Sequence, residues 1–241
     1  MREQAAKRPR FDEQGLQLQV LTINGTTWPS TKAFLGVLDA SVQVVLCQEH
    51  HLDEQSVPDA QAWCKKRGWN SIFAPAIATE AGGTQGGVSI LAREGLGLMS
   101  PTNVQAELVK GRALAAIVQA PGYSDMMMVS LYLRHGLGIQ GPNVETLVAI
   151  ACAMEEERLP TVIGGDFNAG PSAVEESTFT ERTRTAITKP LGKTCVTRNS
   201  CSLIDFFVVS VPLASLVEKR DLGNQRERID STACSCANVF P

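Results

Sequence analysis

Short apolar runs that each lead into a polar side chain recur along this chain, and they restrict its possible folds more than any other feature. Residues 42–47 are apolar or β-branched apart from Gln43 and lead to Glu49, and residues 161–163 lead to Asp166 in the same way. A continuous run of this kind is typical of a strand buried on both faces. Side chains that follow such strands can meet at one sheet edge although they are far apart in sequence. The chain is therefore predicted to have buried strands with a polar site at their ends.

Apolar periodicity predicts many strands and few helices. Leu16, Leu18 and Val20 alternate with glutamines, which is the period of a half-buried strand. Residues 143–158 carry apolar side chains at helical spacing and form the clearest predicted helix. The length of 241 residues fits one compact domain. We therefore expect an α+β fold, a four-layer sandwich in which two mixed β-sheets pack face to face and helices flank them.

Charge, cysteine usage and hydropathy argue against several classes of protein. The net charge of -3 does not suit a protein that coats nucleic acid by charge alone. The seven cysteines form no CxxC pair, which indicates reduced thiols in an intracellular protein rather than a disulfide framework. No apolar stretch is long enough to span a membrane, and the first residues lack the apolar core of a secretory signal. We expect an intracellular protein with no membrane partner.

Residues 1–15 are expected to form a flexible basic tail. Their cluster Lys7-Arg8-Pro9-Arg10 fits a nuclear import signal, although so short a basic cluster is more often part of a solvated tail. This pattern is compatible with a nuclear location and also with a solvated tail that has no specific function.

The segment Gly165-Asp166-Phe167-Asn168 is the strongest local signal for chemistry. An Asp and an Asn two residues apart at a strand exit can face one cleft. There the carboxylate would accept a proton from water, and the amide would donate to a phosphate oxygen. An Asx turn that ends the strand explains the same residues without any function.

Glu49 is the second signal. A carboxylate at the end of a buried strand is costly unless it is paired or bound to a cation, and Mg²⁺ is typically held by one or two carboxylates plus waters and phosphate. A surface Glu in a turn is the alternative. His50 and His51 do not favour zinc, because adjacent side chains of an extended segment point in opposite directions and no third ligand is suitably spaced.

These signals belong to a series of six short motifs in a particular order. The motifs are Asn24, Gln48-Glu49 and the segments 86–91, 130–132, 165–168 and 202–207. This succession, over about residues 16–217, resembles the endonuclease/exonuclease/phosphatase superfamily, and within it most of all the endonucleases of non-LTR retrotransposons. The resemblance implies one domain over 16–217 with the deoxyribonuclease-I-like fold.

The resemblance also implies roles for the matching residues. Glu49 is similar to the family's metal-binding glutamate, and Asn24 to the first-strand asparagine that supports the metal site. Asp166 resembles the residue that activates or orients the attacking water, and Asn168 its partner at the transition state and at the substrate. Tyr132 is similar to the tyrosine beside the scissile phosphate. The implied cofactor is Mg²⁺ or Mn²⁺, and the implied partner is nucleic acid, DNA in the first place.

Two departures from the family pattern stand out. Thr26 occupies the place of a second Asn or Asp in the first-strand motif; in a shifted register, Thr22 replaces the first member instead. Asp205 resembles the aspartate that orients a catalytic histidine, but residues 226–236, where the family has Ser-Asp-His and a closing strand, contain no histidine. Residues 218–241 are therefore expected to be an irregular, truncated or frame-shifted tail, and cleavage is expected to be slow or absent.

The function that follows is divalent-metal-dependent hydrolysis of phosphodiesters by an endonuclease of retroelement type. A phosphatase or phosphodiesterase acting on small or lipid phosphates is the first alternative, and a non-catalytic remnant is the second. Arg182 and Arg184 lie in a basic stretch without acidic residues, which predicts a phosphate-contacting rim beside the cleft or, equally, a solvated loop.

Overall fold

The structure, a computed structural model, describes residues 17–189, 195–196, 201–220 and 234–240. The tail 1–15 with its basic cluster lies outside the described residues, as do Lys193 and Arg198, which continue the basic stretch that begins at Arg182. Most of the segment without histidine, up to residue 233, lies outside them too.

The described elements begin with a strand and alternate irregularly between strands and helices. The helices are α1 (Trp28–Val37), α2 (Val57–Lys65), α3 (Pro142–Glu157), α4 (Pro171–Glu176), α5 (Phe179–Thr183) and α6 (Val211–Ala214). The strands are β1 (Leu18–Asn24), β2 (Val42–Gln48), β3 (Trp69–Ala74), β4 (Ile77–Ala78), β5 (Thr84–Gln85), β6 (Val88–Arg93), β7 (Gly97–Met99), β8 (Glu107–Val109), β9 (Ala113–Gln119), β10 (Met126–Tyr132), β11 (Thr161–Asp166), β12 (Thr185–Thr188), β13 (Cys195–Val196), β14 (Cys201–Ser202), β15 (Asp205–Ser210), β16 (Glu218–Arg220) and β17 (Cys234–Phe240).

Two large mixed sheets organise the domain. The first has the strand order β16-β17-β1-β2-β6-β3, and the second has the order β12-β15-β11-β10-β9-β7, with β8 paired to β9. Within each sheet one central pair is parallel: β1 with β2, and β10 with β11. Parallel pairing makes both strands of each pair end at the same edge, which is the geometry that can gather polar side chains into one site.

Three apolar clusters show that the sheets are stacked between two layers of helices. The central cluster combines side chains of both sheets, such as Leu46 and Ile90 with Met128 and Phe207. A second cluster packs α1 and α2 on the outer face of the first sheet, and a third packs α3, α4 and α5 on the outer face of the second. The predicted fold class, a four-layer α+β sandwich, is confirmed.

The expectation of an irregular tail is wrong for part of 218–241. β17 pairs antiparallel with β1 over the full length of both strands, from Leu18 opposite Phe240 to Asn24 opposite Cys234, and β16 pairs with β17. Main-chain hydrogen bonds make this pairing, and they need no apolar side-chain pattern. The free edge that β1 would otherwise present is thereby covered.

No helix among the described residues is long and apolar enough to cross a membrane. The longest, α3, has 16 residues.

Substituting alanine at Gly165 is expected to disrupt this packing. A Cβ there would overlap the carbonyl oxygen of Leu131 on the neighbouring strand β10, which is backbone and cannot rotate away. We expect Gly165→Ala to lower the free energy of unfolding by at least about 3 kcal/mol. Gly36→Ala is the matched control, because nothing lies within 4 Å of a Cβ at this exposed position on α1. It should raise the free energy of unfolding by about 0.5–1 kcal/mol. Equal effects in denaturant titrations of the two variants would contradict the packing described here.

Candidate active site

Strands from both sheets end at one side of the sandwich and carry polar side chains there. Asn24 is the last residue of β1, Glu49 directly follows β2, and Tyr132 and Asp166 end β10 and β11. The register places Tyr132 opposite Asp166. We call these four residues the strand-end site. Their meeting is the geometry expected from the sequence.

Asn24 connects the two sheets. Its Nδ2 donates to Glu49 Oε1 at 3.0 Å and to Asp166 Oδ2 at 2.9 Å. Its Oδ1 accepts from the backbone N–H of Thr26 at 3.1 Å, which fixes the orientation of the amide. One amide group therefore holds two carboxylates, one from each sheet, beside each other. Asn24, and not Thr22 or Thr26, is the residue of this first-strand motif whose side chain contacts both carboxylates.

A buried polar network lies directly beneath. Gln48 accepts from Thr22 Oγ1 through its Oε1 at 3.2 Å and donates from Nε2 to Ser130 Oγ at 3.0 Å. Ser130 Oγ in turn donates to the carbonyl of Cys47 at 2.9 Å. These residues come from β1, β2 and β10, so the network fixes the relative position of the strand ends. A buried network whose polar groups are hydrogen-bonded to one another makes the structure rigid without leaving unpaired polar groups, which would be destabilising.

Asp166 is the most perturbed carboxyl group of the site. It is 4% exposed. Burial, with a contribution from the charge of Glu49, raises its pKa from 3.8 to about 6, although hydrogen bonds from the Asn168 backbone and Asn24 and the charge of His135 oppose the rise. A carboxylate with a pKa near 6 is a stronger base than an ordinary aspartate. The geometry therefore supplies a proton acceptor suited to neutral pH.

Tyr132 and Arg112 form the adjoining wall. The Arg112 guanidinium lies over the Tyr132 ring at 4.7 Å from its centroid, and its Nη2 donates to Gln85 Oε1 at 2.9 Å. Burial, a hydrogen bond to Glu49 and the charges of Glu49 and Asp166 raise the pKa of Tyr132, so its phenol stays protonated. Arg112 is 5% exposed, and its Nε is buried without a hydrogen-bond partner. A protonated phenol and a cation thus stand next to the two carboxylates.

Asn168 lies on the other side of Asp166. Its backbone N–H donates to Asp166 Oδ1 at 2.8 Å, and its Nδ2 donates to the carbonyl of Leu133 at 2.8 Å. Its Oδ1 lies 3.1 Å from His135 Nδ1. One amide hydrogen of Asn168 is therefore used within the protein, and the other is left over for a substrate.

Asp205 is buried at the start of β15, directly opposite Asp166 in the antiparallel register. Directly opposite residues of antiparallel strands project from the same face of the sheet, with Cβ atoms about 5 Å apart. The register thus brings Asp205 to the floor of the strand-end site. With it, six residues singled out from the sequence are gathered there: Asn24, Glu49, Tyr132, Asp166, Asn168 and Asp205.

Unusual backbone conformations concentrate at the same place. Thr26, Glu49, His51 and Asn168 all have φ between 46° and 56°. Side chains with a Cβ rarely adopt this left-handed region, and each such residue costs on the order of 1 kcal/mol. Strain of this kind persists where the surrounding structure imposes it, which is common at functional sites.

His50 and His51 have different surroundings, as expected for adjacent residues. The ring of His50 is buried against Phe73, and a Cβ on Gly87 would come within 2.6 Å of it. Burial lowers the pKa of His50 to about 4, so this imidazole is neutral. His51 Nε2 lies 3.6 Å from Glu49 Oε2, an ion pair when the imidazole is protonated.

Arg182 and Arg184 do not border the site, and the expectation that they form its phosphate-contacting rim is wrong. Arg184 directly precedes β12, whose first residue pairs with Ser210 at the end of β15. The strand-end site lies at the opposite end of β15, at Asp205, roughly 17 Å away at about 3.3 Å per residue. Both arginines line a groove of about 820 Å³ beside α3 and α5 instead. Composition showed a basic stretch, but only the strand register determines which edge it reaches.

The oxygen donors of the strand-end site fit Mg²⁺ or Mn²⁺. Among the described residues no group of three or more His, Cys, Asp or Glu side chains is arranged to hold a metal ion. Mg²⁺ needs only one or two carboxylates, because waters and substrate phosphate complete its shell. Glu49, beside a second carboxylate that burial has already perturbed, is such a donor. A nearby cation would also offset the repulsion between the two carboxylates.

Arg112 and His135 are site residues that sequence reasoning missed. Arg112 opens the apolar strand β9, and a single Arg before a strand carries no periodic signal. His135 lies outside the six motifs that carry the family resemblance. Its position three residues after Tyr132, at the end of β10, was the signal that could have placed it near the site.

Comparisons with known proteins agree with this geometry. The sequence profile of the Endonuclease/Exonuclease/phosphatase family matches residues 29–223, well over half of the chain. A search of curated proteins finds no match.

Solved structures share the fold at low sequence identity. The AP endonuclease LMAP from Leishmania major is 16% identical with a TM-score of 0.66, over 93% of this chain and 87% of that one. The endonuclease domain of TRAS1, a telomere-specific non-LTR retrotransposon, is 12% identical with a TM-score of 0.66, over 93% and 98%. The 3' phosphatase NExo from Neisseria, bound to product DNA hairpin, is 15% identical with a TM-score of 0.64, over 93% and 98%.

Proposed function

This chain belongs to the endonuclease/exonuclease/phosphatase family, and we propose that it is a divalent-metal-dependent phosphodiester hydrolase that cuts DNA as an endonuclease of retroelement type. The observation that carries the proposal is the Asn24 amide, which holds Glu49 and Asp166 side by side at 3.0 and 2.9 Å. Two carboxylates held by one amide, with a protonated phenol beside them, suit phosphodiester hydrolysis.

Each residue of the strand-end site can be given a task. Asp166 accepts a proton from the attacking water, because its raised pKa makes it a competent base near neutral pH. The Tyr132 phenol, which donates to Glu49 in the structure, would turn to a phosphate oxygen when substrate binds, and Asn168 would donate its remaining amide hydrogen. Glu49, with Asn24 beside it, would hold Mg²⁺ or Mn²⁺. When bound, the cation supplies positive charge that offsets the charge developing on the phosphoryl oxygens.

Basic side chains beside the site support a phosphate-bearing polymer as substrate. Arg112 lies next to Tyr132, and its pKa is lowered by burial and, to a smaller extent, by the charge of Arg134 nearby. Arg112 is buried, whereas Arg134 is exposed and, unlike Arg182 and Arg184, lies near the site where a phosphate backbone can reach it. The solved structures with this fold include an AP endonuclease, a retrotransposon endonuclease domain and a phosphatase bound to DNA, which supports DNA as the first substrate to test.

A substrate panel separates the proposal from its alternatives. Plasmid DNA, a single-stranded RNA, inositol phosphates and sphingomyelin vesicles are incubated with the chain and Mg²⁺, with Asp166→Asn as the background. We expect plasmid nicking that depends on Asp166. Phosphate release from the small or lipid substrates without nicking would assign the chain to the phosphatase branch. No Asp166-dependent reaction on any of them would identify a non-catalytic remnant.

Cysteine usage supports an intracellular location as part of this proposal. The seven cysteines form no CxxC pair, and Cys47 and Cys64 are buried free thiols. Burial raises the pKa of Cys47 to about 12, so this thiol is unreactive.

A further inference from the structure

An imidazole in the strand-end site has to come from a small set of residues. The chain has three histidines, His50, His51 and His135. His50 is buried in an apolar contact with Phe73, and His51 faces Glu49. His135 is exposed at the edge of the site, beside Asn168. Its imidazole is open to an incoming substrate.

The loop that carries His135 is held firmly by α3. The buried side chain of Asn143 makes three hydrogen bonds to this loop. Its Oδ1 accepts a hydrogen bond from the backbone N–H of Arg134 at 2.7 Å. Its Nδ2 donates to the carbonyl of Arg134 at 2.9 Å and to the carbonyl of Gly138 at 2.7 Å. Asn143 is 1% exposed, so these bonds are shielded from water. The backbone next to His135 is therefore fixed although its side chain is exposed.

Asn168 determines which imidazole nitrogen carries hydrogen. Asn168 Nδ2 donates to the carbonyl of Leu133, which can only accept, so the amide oxygen must face His135. That oxygen can only accept in turn, which requires hydrogen on His135 Nδ1. Nε2 is then the free nitrogen: it carries a hydrogen in the imidazolium form and a lone pair in the neutral form. Nε2 is thus the nitrogen through which the ring can transfer a proton.

We propose that His135 is the general acid of the reaction, and that Asn168 is its positioning residue. The inference rests on the proposed function, and it assigns the second proton transfer of the hydrolysis reaction, the one to the leaving oxygen. The water oxygen forms a bond to phosphorus, and its proton goes to Asp166. The bond from phosphorus to the leaving oxygen breaks, and that oxygen receives the proton from His135 Nε2. The products are an alcohol and a phosphate monoester, and proton exchange with solvent resets both groups.

The charged groups around His135 are consistent with this role. Asp166 is the acidic group whose titration the charge of His135 affects. Arg134 is the neighbouring cation on the same loop, and its side chain is exposed. The imidazolium is therefore next to a carboxylate on the protein side and open on the side of the solvent.

The test compares two leaving groups in the full chain with Mg²⁺. Plasmid DNA releases an alkoxide oxygen, which needs a proton, whereas bis(p-nitrophenyl) phosphate releases nitrophenolate, which does not. His135→Gln should slow plasmid nicking by about 10²–10⁴-fold and leave nitrophenolate release nearly unchanged. Leu137→Ala, an exposed position on the same loop, is the control and should cleave both substrates at the wild-type rate.

The outcomes separate this inference from the proposed function. Equal slowing of both substrates by His135→Gln would overturn the general-acid role, because a structural or binding defect ignores the leaving group. An unimpaired His135→Gln enzyme would overturn it as well. In both cases Asp166-dependent nicking by the wild-type chain leaves the proposed function standing. A wild-type chain that hydrolyses neither substrate would overturn the proposed function and this inference together.

Discussion

Replacing Asp166 with asparagine is expected to slow DNA cleavage by about 10²–10⁴-fold and, at the same time, to weaken the pH dependence of the stability of the metal-free protein. The rate falls because an amide cannot accept a proton from water. The variant keeps the size of the side chain and an oxygen that can accept a hydrogen bond from Asn24 Nδ2. Its amide nitrogen then faces the backbone N–H of Asn168, which donates to Asp166 Oδ1 in the wild type.

The pH dependence follows from the raised pKa of Asp166. As a base it must be ionised, so the cleavage rate of the wild-type chain should fall as the pH is lowered through the titration of Asp166. A bound cation favours the ionised form, so this titration lies at lower pH with Mg²⁺ than in the metal-free protein. A rate that does not fall at acidic pH would show that another group accepts the proton.

The stability effect has the opposite direction. The folded-state pKa lies above the unfolded value of 3.8, so between pH 4 and 6 the folded chain binds more protons than the unfolded chain. The free energy of unfolding therefore falls as pH rises through this range, by on the order of 1–3 kcal/mol for this group. Asp166→Asn removes that loss. Denaturant titrations in EDTA should show that the stability of the variant falls less between pH 4 and 6 than that of the wild type, with exposed Asp59→Asn on α2 as the matched control. A variant whose stability falls as steeply as that of the wild type would contradict this account of Asp166.

Replacing Glu49 with glutamine is expected to abolish both cleavage and the stabilising effect of Mg²⁺. Glutamine keeps an oxygen that can accept the hydrogen bond from Asn24 but removes the negative charge that would hold the cation. For the wild-type chain, Mg²⁺ at a hundredfold excess over its dissociation constant should add about 2.7 kcal/mol to the free energy of unfolding.

The control for this variant is Glu94→Gln. Glu94 is half exposed and pairs with Lys65 at 3.1 Å, so losing its charge should leave the Mg²⁺ response intact. The measurement is the thermal midpoint with Mg²⁺ and with EDTA for all three proteins. A Glu49→Gln protein that Mg²⁺ still stabilises as much as wild type would place the cation elsewhere.

Much of the fold could be predicted because the relevant signals are local. The apolar runs that became β2 and β11 are buried on both faces, and their end residues Glu49 and Asp166 could be recognised from the adjoining sequence. Strand ends are fixed by the strands themselves, so this part of the site does not depend on unknown tertiary contacts. Asn24 and Asp205 were predicted from the motifs of the family resemblance instead.

The remaining features depend on contacts that local sequence does not encode. β17 forms through backbone pairing with β1, and the residues of the short segment 234–240 do not indicate this pairing by themselves. Arg182 and Arg184 are basic, but the register of β12 against β15 carries them to the far edge. His135 reaches the site only because Asn143, on another element, fixes its loop. Each of these outcomes is decided by pairing between distant segments.

The central claim is that the strand-end site hydrolyses phosphodiesters with a bound divalent cation. The most direct test is conversion of supercoiled plasmid to nicked circles by the purified chain, measured side by side with Mg²⁺, with Mn²⁺ and with EDTA, and repeated with Asp166→Asn. We expect nicking with either cation, none in EDTA, and at least about a 10²-fold loss in the variant. Nicking that persists in EDTA, or that Asp166→Asn retains in full, would show that this site does not carry the reaction.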